Sequence, residues 1–146
     1  MIEGVLVTPL KRIGHPKGDL FHVMKKSSIG YNGFGEAYIS TILKDEIKGW
    51  KKHHVMTLNL VVPQGAVKVV IFDERDDSAT KGEYQEIVLS VENYSRLTIP
   101  PNLWVAFQGA SVGVNMLLNI ANIEHDPDES SDFDLNELPY SWGPNH

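Results

Sequence analysis

Along nearly its whole length the chain is cut every few residues by Gly, Pro, Asn or Asp, and the segments between the cuts are short, alternating and rich in β-formers. No gap is long enough for an amphipathic helix, so the apolar faces of these segments can only be buried against other strands. Strands are expected at 4–10, closed by Pro9, and at 20–25 after the turn His15-Pro16-Lys17-Gly18-Asp19. Residues 36–42 form a third, and 47–62 read as two strands joined at 53–56. Val67, Val69 and Ile71 then oppose Lys68, Val70 and Phe72, and shorter strands follow at 86–91, 96–99, 103–107 and 114–121. Such a series indicates an all-β sandwich or barrel, in which closure or face-to-face packing protects the strand edges.

The 146 residues are read as a single domain spanning 1–146, with no repeat or linker. The stretch 126–134 is acidic and polar, a short C-terminal helical turn is expected near 135–138, and Pro139-Tyr140-Ser141-Trp142 is too aromatic for a solvated tail. A net charge of -6 argues against nucleic acid or an anionic membrane as partner. The absence of cysteine removes thiolate metal sites and cysteine nucleophiles. No apolar run approaches a membrane span and the first residues lack a signal peptide's pattern, so a cytoplasmic protein is expected.

Polarity concentrates in Lys48-Gly49-Trp50-Lys51-Lys52-His53-His54. On a regular strand Lys51 and His53 share one face, with Trp50, Lys52 and His54 on the other. A metal would need convergent ligands such as His53, His54 and Glu36 or Glu124, but adjacent histidines on a strand diverge, and no metal or other cofactor is expected. The plain alternative is a solvated strand end beside a turn. Gly30-Tyr31-Asn32-Gly33-Phe34-Gly35 precedes a strand, not a helix, and reads as a turn, not a phosphate loop. Asp73, Glu74, Asp76 and Asp77 fit either a hard-cation site or a solvated hairpin end.

Several ordered motifs resemble the dTDP-4-dehydrorhamnose 3,5-epimerases and related sugar-nucleotide ketoisomerases of the RmlC-like cupin class. Lys17-Gly18-Asp19-Leu20 is similar to that family's Arg-Gly-x-Phe turn, and Phe34-Gly35-Glu36 to its Phe-x-Gln/Glu strand. Lys48-Gly49-Trp50-Lys51 resembles its Arg-Gly-Leu-His, and the run from Asp73 to Gly82 its Asp-x-Arg-x-x-Ser-Pro-Thr-x-Gly corner. The resemblance implies a cupin-type jelly-roll β-sandwich, a homodimer that exchanges N-terminal strands, and a nucleotide-linked 4-keto-6-deoxy sugar as ligand. The reaction it implies is abstraction of a proton beside the ketone, without a cofactor.

The family's base position falls on Lys51 and a second family histidine on Val105. Among family variants carrying His-x-His after the tryptophan, His53 is the surviving histidine. The resemblance therefore implies His53 as base, Lys48 or Lys51 as the cation that holds the diphosphate or the developing enolate, and Glu124 or His125 as proton donor. Lys48, Phe34, Glu36, Lys17, Asn59 and Trp104 are the implied substrate-binding residues, although a tryptophan such as Trp104 is more often a core or interface aromatic than a stacking platform. Lys51 itself could serve as base only with its pKa lowered by burial or by Lys52. The alternative is a catalytically inactive cupin that binds a nucleotide sugar, a carbohydrate or a protein partner.

Overall fold

Alternation along each strand decides which side chains meet, and the computed structural model, which describes residues 1–143, carries that alternation into two facing sheets. The strands are β1 (Leu6–Pro9), β2 (Arg12–Ile13), β3 (Leu20–Phe21), β4 (Glu36–Ile42), β5 (Ile47–His53), β6 (Leu58–Gln64), β7 (Ala66–Phe72), β8 (Tyr84–Ser90), β9 (Ser95–Ile99), β10 (Trp104–Gly109), β11 (Asn115–Ala121) and β12 (Ser130–Asp132). One sheet has the order β1-β9-β6-β11-β4 and the other β12-β5-β10-β7-β8, with a small β2-β3 hairpin beside them. The pairings between these strands are antiparallel, and the strand order is the crossed-over one of a jelly roll. The expected all-β sandwich is the observed fold. No helix among the described residues is long and apolar enough to cross a membrane.

Period-two patterning sorts the core. Leu58, Leu60 and Val62 of β6 meet Val67, Val69 and Ile71 of β7 between the sheets, with Leu97, Ile99, Val105 and Leu117 filling the same layer. The opposite faces of β7 and β10 carry Val70, Trp104 and Ala106, which join Trp50 in a second cluster under the C-terminal segment. There Phe133 stacks on Trp104 at 4.0 Å, and Tyr140 and Trp142 pack against Trp50 at 6.1 Å and 5.8 Å. The aromatic tail is thus a cover for the outer face of the second sheet, as its composition suggested.

Two features depart from the sequence reading. Residues 126–134, read as a polar tail, contain β12, which pairs with β5 in the register Ser130↔His53 and Asp132↔Lys51. Backbone pairing does not need apolar side chains, so three polar residues along an otherwise open edge leave no periodic signal. The helical turn after it is present as a 3₁₀ turn, Leu135–Glu137. At the 73–82 corner Asp73 is fully buried instead of solvated, and it accepts bonds from Ser78 Oγ at 2.5 Å, Thr80 Oγ1 at 2.7 Å and Arg75 Nε at 3.0 Å. Arg75 Nη2 also donates to the Glu3 carbonyl at 2.7 Å, fastening the N-terminal segment to this corner.

The start of β4 is set by a close approach. A Cβ on Gly35 would lie 2.1 Å from the Ile123 carbonyl carbon and 2.3 Å from its Cα, both backbone atoms that cannot swing aside. Gly35→Ala is therefore expected to lower unfolding free energy by about 3 kcal/mol, read as an earlier urea midpoint at unchanged slope. An unchanged midpoint would contradict this packing.

Candidate active site

β5 is not a regular strand. Its pairing with β10 runs Lys51↔Val105 and then Lys48↔Phe107, so two β5 residues, Gly49 and Trp50, face the single residue Ala106. This bulge requires glycine, because a Cβ at Gly49 would lie 2.4 Å from the Ala106 Cβ. Its effect is to bring Lys48 to the same side as Lys51 and His53, which strict alternation would forbid. Trp50 and Lys52 go to the other face, where Trp50 is buried under the tail and Lys52 lies 3.1 Å from Glu74 and 4.8 Å above the Trp104 ring.

Lys48, Lys51 and His53 open onto a cavity of about 490 Å³ between the two sheets. Its floor is apolar, from Ile42, Leu58, Leu60, Val105, Phe107 and Leu117. The opposite wall presents Tyr38, Ser40 and Asn119 from β4 and β11, and the rim next to β5 carries Asp132, Asp134 and Glu137. Apolar lining with a few convergent polar groups is the ordinary constitution of a small-molecule site. Lys48 Nζ donates to the Thr41 carbonyl at 2.8 Å and Lys51 Nζ stands 3.8 Å from Asp132, so both cations are held at the wall.

His53 is held by a carboxylate that the sequence reading did not single out. Its Nδ1 meets Glu129 Oε1, while Glu129 Oε2 accepts the backbone amides of His54, Val55 and Met56 at 3.2, 3.1 and 3.1 Å. Burial alone would raise the Glu129 carboxyl, but the bonds from His53 and from the Val55 and Met56 amides together hold it below its ordinary value. An ionised Glu129 accepts the Nδ1 proton, which fixes the tautomer and leaves the Nε2 lone pair as the end available to the cavity. The available signal was Asp126-Pro127-Asp128-Glu129, a capped turn in which the Asp126 side chain accepts from Asp128 N, directly before β12. His54 turns away, with Nε2 2.8 Å from Ser131 Oγ, and among the described residues no three His, Asp or Glu side chains converge as metal ligands.

Of the residues proposed from sequence, the cavity brings together Lys48, Lys51 and His53. Glu124 and His125 are exposed and do not line it. Lys17 is exposed in the turn before β3, and Phe34 is 62% exposed ahead of β4. Glu36 opens β4 two residues before Tyr38 and does not line the cavity, and its buried Oε1 has no partner among the described residues. Asn59 is buried in a network with Thr98, Asn119 and the Gly30 carbonyl. Trp104 is buried on the outer face, where its Nε1 donates to Glu74 at 2.7 Å.

The family model for dTDP-4-dehydrorhamnose 3,5-epimerase matches residues 1–143. The chain belongs to this epimerase family. A dTDP sugar isomerase from Desulfovibrio desulfuricans G20 superposes with a TM-score of 0.92 at 33% identity, over 97% of this chain and 92% of that one. A protein of Haloferax volcanii described as a probable low-salt glycan biosynthesis epimerase is 27% identical over 97% of this chain and 94% of its own. The spore coat polysaccharide biosynthesis protein SpsL of Bacillus subtilis is 23% identical over 97% of each. Within the epimerase family fold, the two positions where the motifs place histidines, Lys51 and Val105, are direct cross-strand partners lining one cavity. The two changes therefore sit side by side, and His53 lies next along the same face.

Proposed function

We propose that this protein is a sugar-nucleotide epimerase or ketoisomerase acting on a nucleotide-linked 4-keto-6-deoxy sugar in polysaccharide or glycan biosynthesis. The observation that carries the reading is His53, fixed through Nδ1 by Glu129 and open to a cavity that also holds Lys48 and Lys51. A ketone at C4 acidifies the hydrogens on its neighbouring carbons, and His53 Nε2 removes one of them as general base. Lys51, nearest to His53 on the same face, neutralises the charge that develops on the ketone oxygen, and Lys48 receives the diphosphate. Lys51 is half exposed beside Asp132, and Lys52 is turned to the other face, so the surroundings favour Lys51 as a fixed cation over a base.

The reading includes a homodimer in the cytoplasm. Support for the dimer comes from Ile13, Leu20, Ile29 and Phe34, large apolar side chains left 44–63% exposed along the N-terminal third. The second reading, a nucleotide-sugar binder without catalysis, is favoured by one observation, the Lys51 and Val105 pair where the motifs place histidines. Incubation of a dTDP-4-keto-6-deoxyhexose with the protein in deuterated water separates the two. An epimerase exchanges the C3 or C5 hydrogen for deuterium well above the buffer rate. Saturable binding with exchange at the buffer rate would establish the binder instead.

A further inference from the structure

We propose that the outer face of the sheet β1-β9-β6-β11-β4 holds a second binding site, built on Arg96 and suited to an oxyanion of the phosphoryl class. The site is separate from the catalytic cavity, and it does not depend on the catalytic reading. Leu97 and Ile99 of β9 point into the core between the sheets, so Arg96, one step along the strand, faces outward. Arg96 is nonetheless only 1% exposed, because the segment 22–29 folds over it.

The other arginines are neutralised by carboxylates, Arg12 by Asp19 at 3.4 Å and Arg75 by Asp73 at 3.0 Å. Arg96 has neutral partners. Its Nη1 donates to the Val23 carbonyl at 2.7 Å and its Nη2 to the Ile29 carbonyl at 2.6 Å, while Nε is buried with no partner among the described residues. Burial lowers the pKa of the guanidinium, and no neighbouring carboxylate offsets it. A guanidinium stays charged even so. A buried charge without a counter-ion is costly, and an anion bound beside it is correspondingly stabilised.

Arg96 lines a cavity of about 400 Å³ together with Lys11, His22, Lys25, Ser27 and Ser28. No Asp or Glu lines it, in a chain whose net charge is -6, and no residue lines both this cavity and the one that holds Lys48, Lys51 and His53. The basic side chains come from separate segments that backbone bonds hold together. His22 N donates to the Lys11 carbonyl at 2.9 Å, and Lys25 N donates to Ser28 Oγ at 2.8 Å. Ser28 Oγ is thereby used as an acceptor, which leaves its own hydrogen to donate to a ligand. Arg96, Lys11 and Lys25 with hydroxyl donors beside them match a group that carries two charges on several equivalent oxygens, and match chloride or a single carboxylate less well.

The test titrates the full chain with inorganic phosphate, and separately with dTDP, against chloride at constant ionic strength, and follows the backbone amides of residues 22–29 by NMR. Phosphate is expected to shift these amides saturably. Lys11→Ala with Lys25→Ala changes two exposed side chains and leaves Arg96 and its carbonyl partners in place. This double variant is expected to keep the wild-type thermal midpoint while binding phosphate roughly tenfold more weakly. Lys48→Ala removes a cation of the catalytic cavity and is expected to leave the response of 22–29 to phosphate unchanged. A response to dTDP that the double variant also weakens assigns the ligand to nucleotides, and a response to inorganic phosphate alone assigns it to the free ion; either supports the site. Absence of saturable shifts at 22–29 with both probes would overturn it, as would an equal response in the double variant. Loss of the response in Lys48→Ala would put the anion in the catalytic cavity and overturn it too.

Discussion

His53→Ala is expected to lower deuterium exchange into the keto sugar by roughly 10²–10⁴-fold, the range lost when a positioned general base is removed. The fold should tolerate the change, because Glu129 keeps its bonds from the amides of His54, Val55 and Met56 when the imidazole is gone. Binding of dTDP should also persist, since Lys48 and Lys51 are untouched and the nucleotide does not need the base. Lys51→Ala should weaken turnover for a different reason, the loss of a cation beside the developing enolate. Full exchange in His53→Ala with none in Lys51→Ala would reverse the two assignments. Exchange rates of the two variants, each checked for an unchanged thermal midpoint, distinguish these outcomes.

The second large effect concerns stability. Asp73 is fully buried, and burial would raise its carboxyl, but the bonds from Arg75, Ser78 and Thr80 outweigh this and hold it far below the ordinary aspartate value. Asp73→Ala leaves Arg75 without its carboxylate and two hydroxyls without their acceptor, and is expected to cost about 3–5 kcal/mol. The same arrangement sets a pH dependence. Because the folded value is depressed, this contribution is present above the unfolded aspartate pKa of about 4 and is lost as pH falls through and below it. Glu129, also depressed, adds to the loss in the same direction. Urea unfolding between neutral pH and pH 3 should therefore show a steep fall in stability for the wild type and a shallower one for Asp73→Asn. Parallel slopes would contradict the assignment.

Most of the sandwich was legible in the sequence because period-two alternation is a direct record of burial on one face of a strand. β4, β7, β9 and β11 fall within a residue or two of where Glu, Gly, Pro and Asn place their ends. What escaped was structure made by backbone. β12 has no apolar pattern, and its role is to pair with β5 and carry Asp132 to the cavity rim. The bulge at Gly49 was hidden too, since a rule of strict alternation puts Lys48 on the wrong face, and only the register against Phe107 and Val105 reveals the extra residue.

The site was half legible for a related reason. The polarity of residues 48–54 marked the strand, and its motif marked the family. Partners distant in sequence left no comparable trace. Glu129 reaches His53 across 76 positions, and Tyr38 meets Asn119 across 81. Conversely, Asn59 and Trp104 carried polar or aromatic character that the fold spends on internal hydrogen bonds to Asn119, Thr98 and Glu74.

The central claim is that the nucleotide sugar sits between the sheets with its reactive carbon at His53. Crystals soaked with a dTDP-6-deoxyhexose that carries a hydroxyl in place of the C4 ketone, and so cannot react, test it most directly. The account predicts the hexose in the cavity with C3 or C5 about 3–3.5 Å from His53 Nε2 and the diphosphate at Lys48. A ligand seated elsewhere, or a hexose turned so that neither carbon approaches His53, would contradict it.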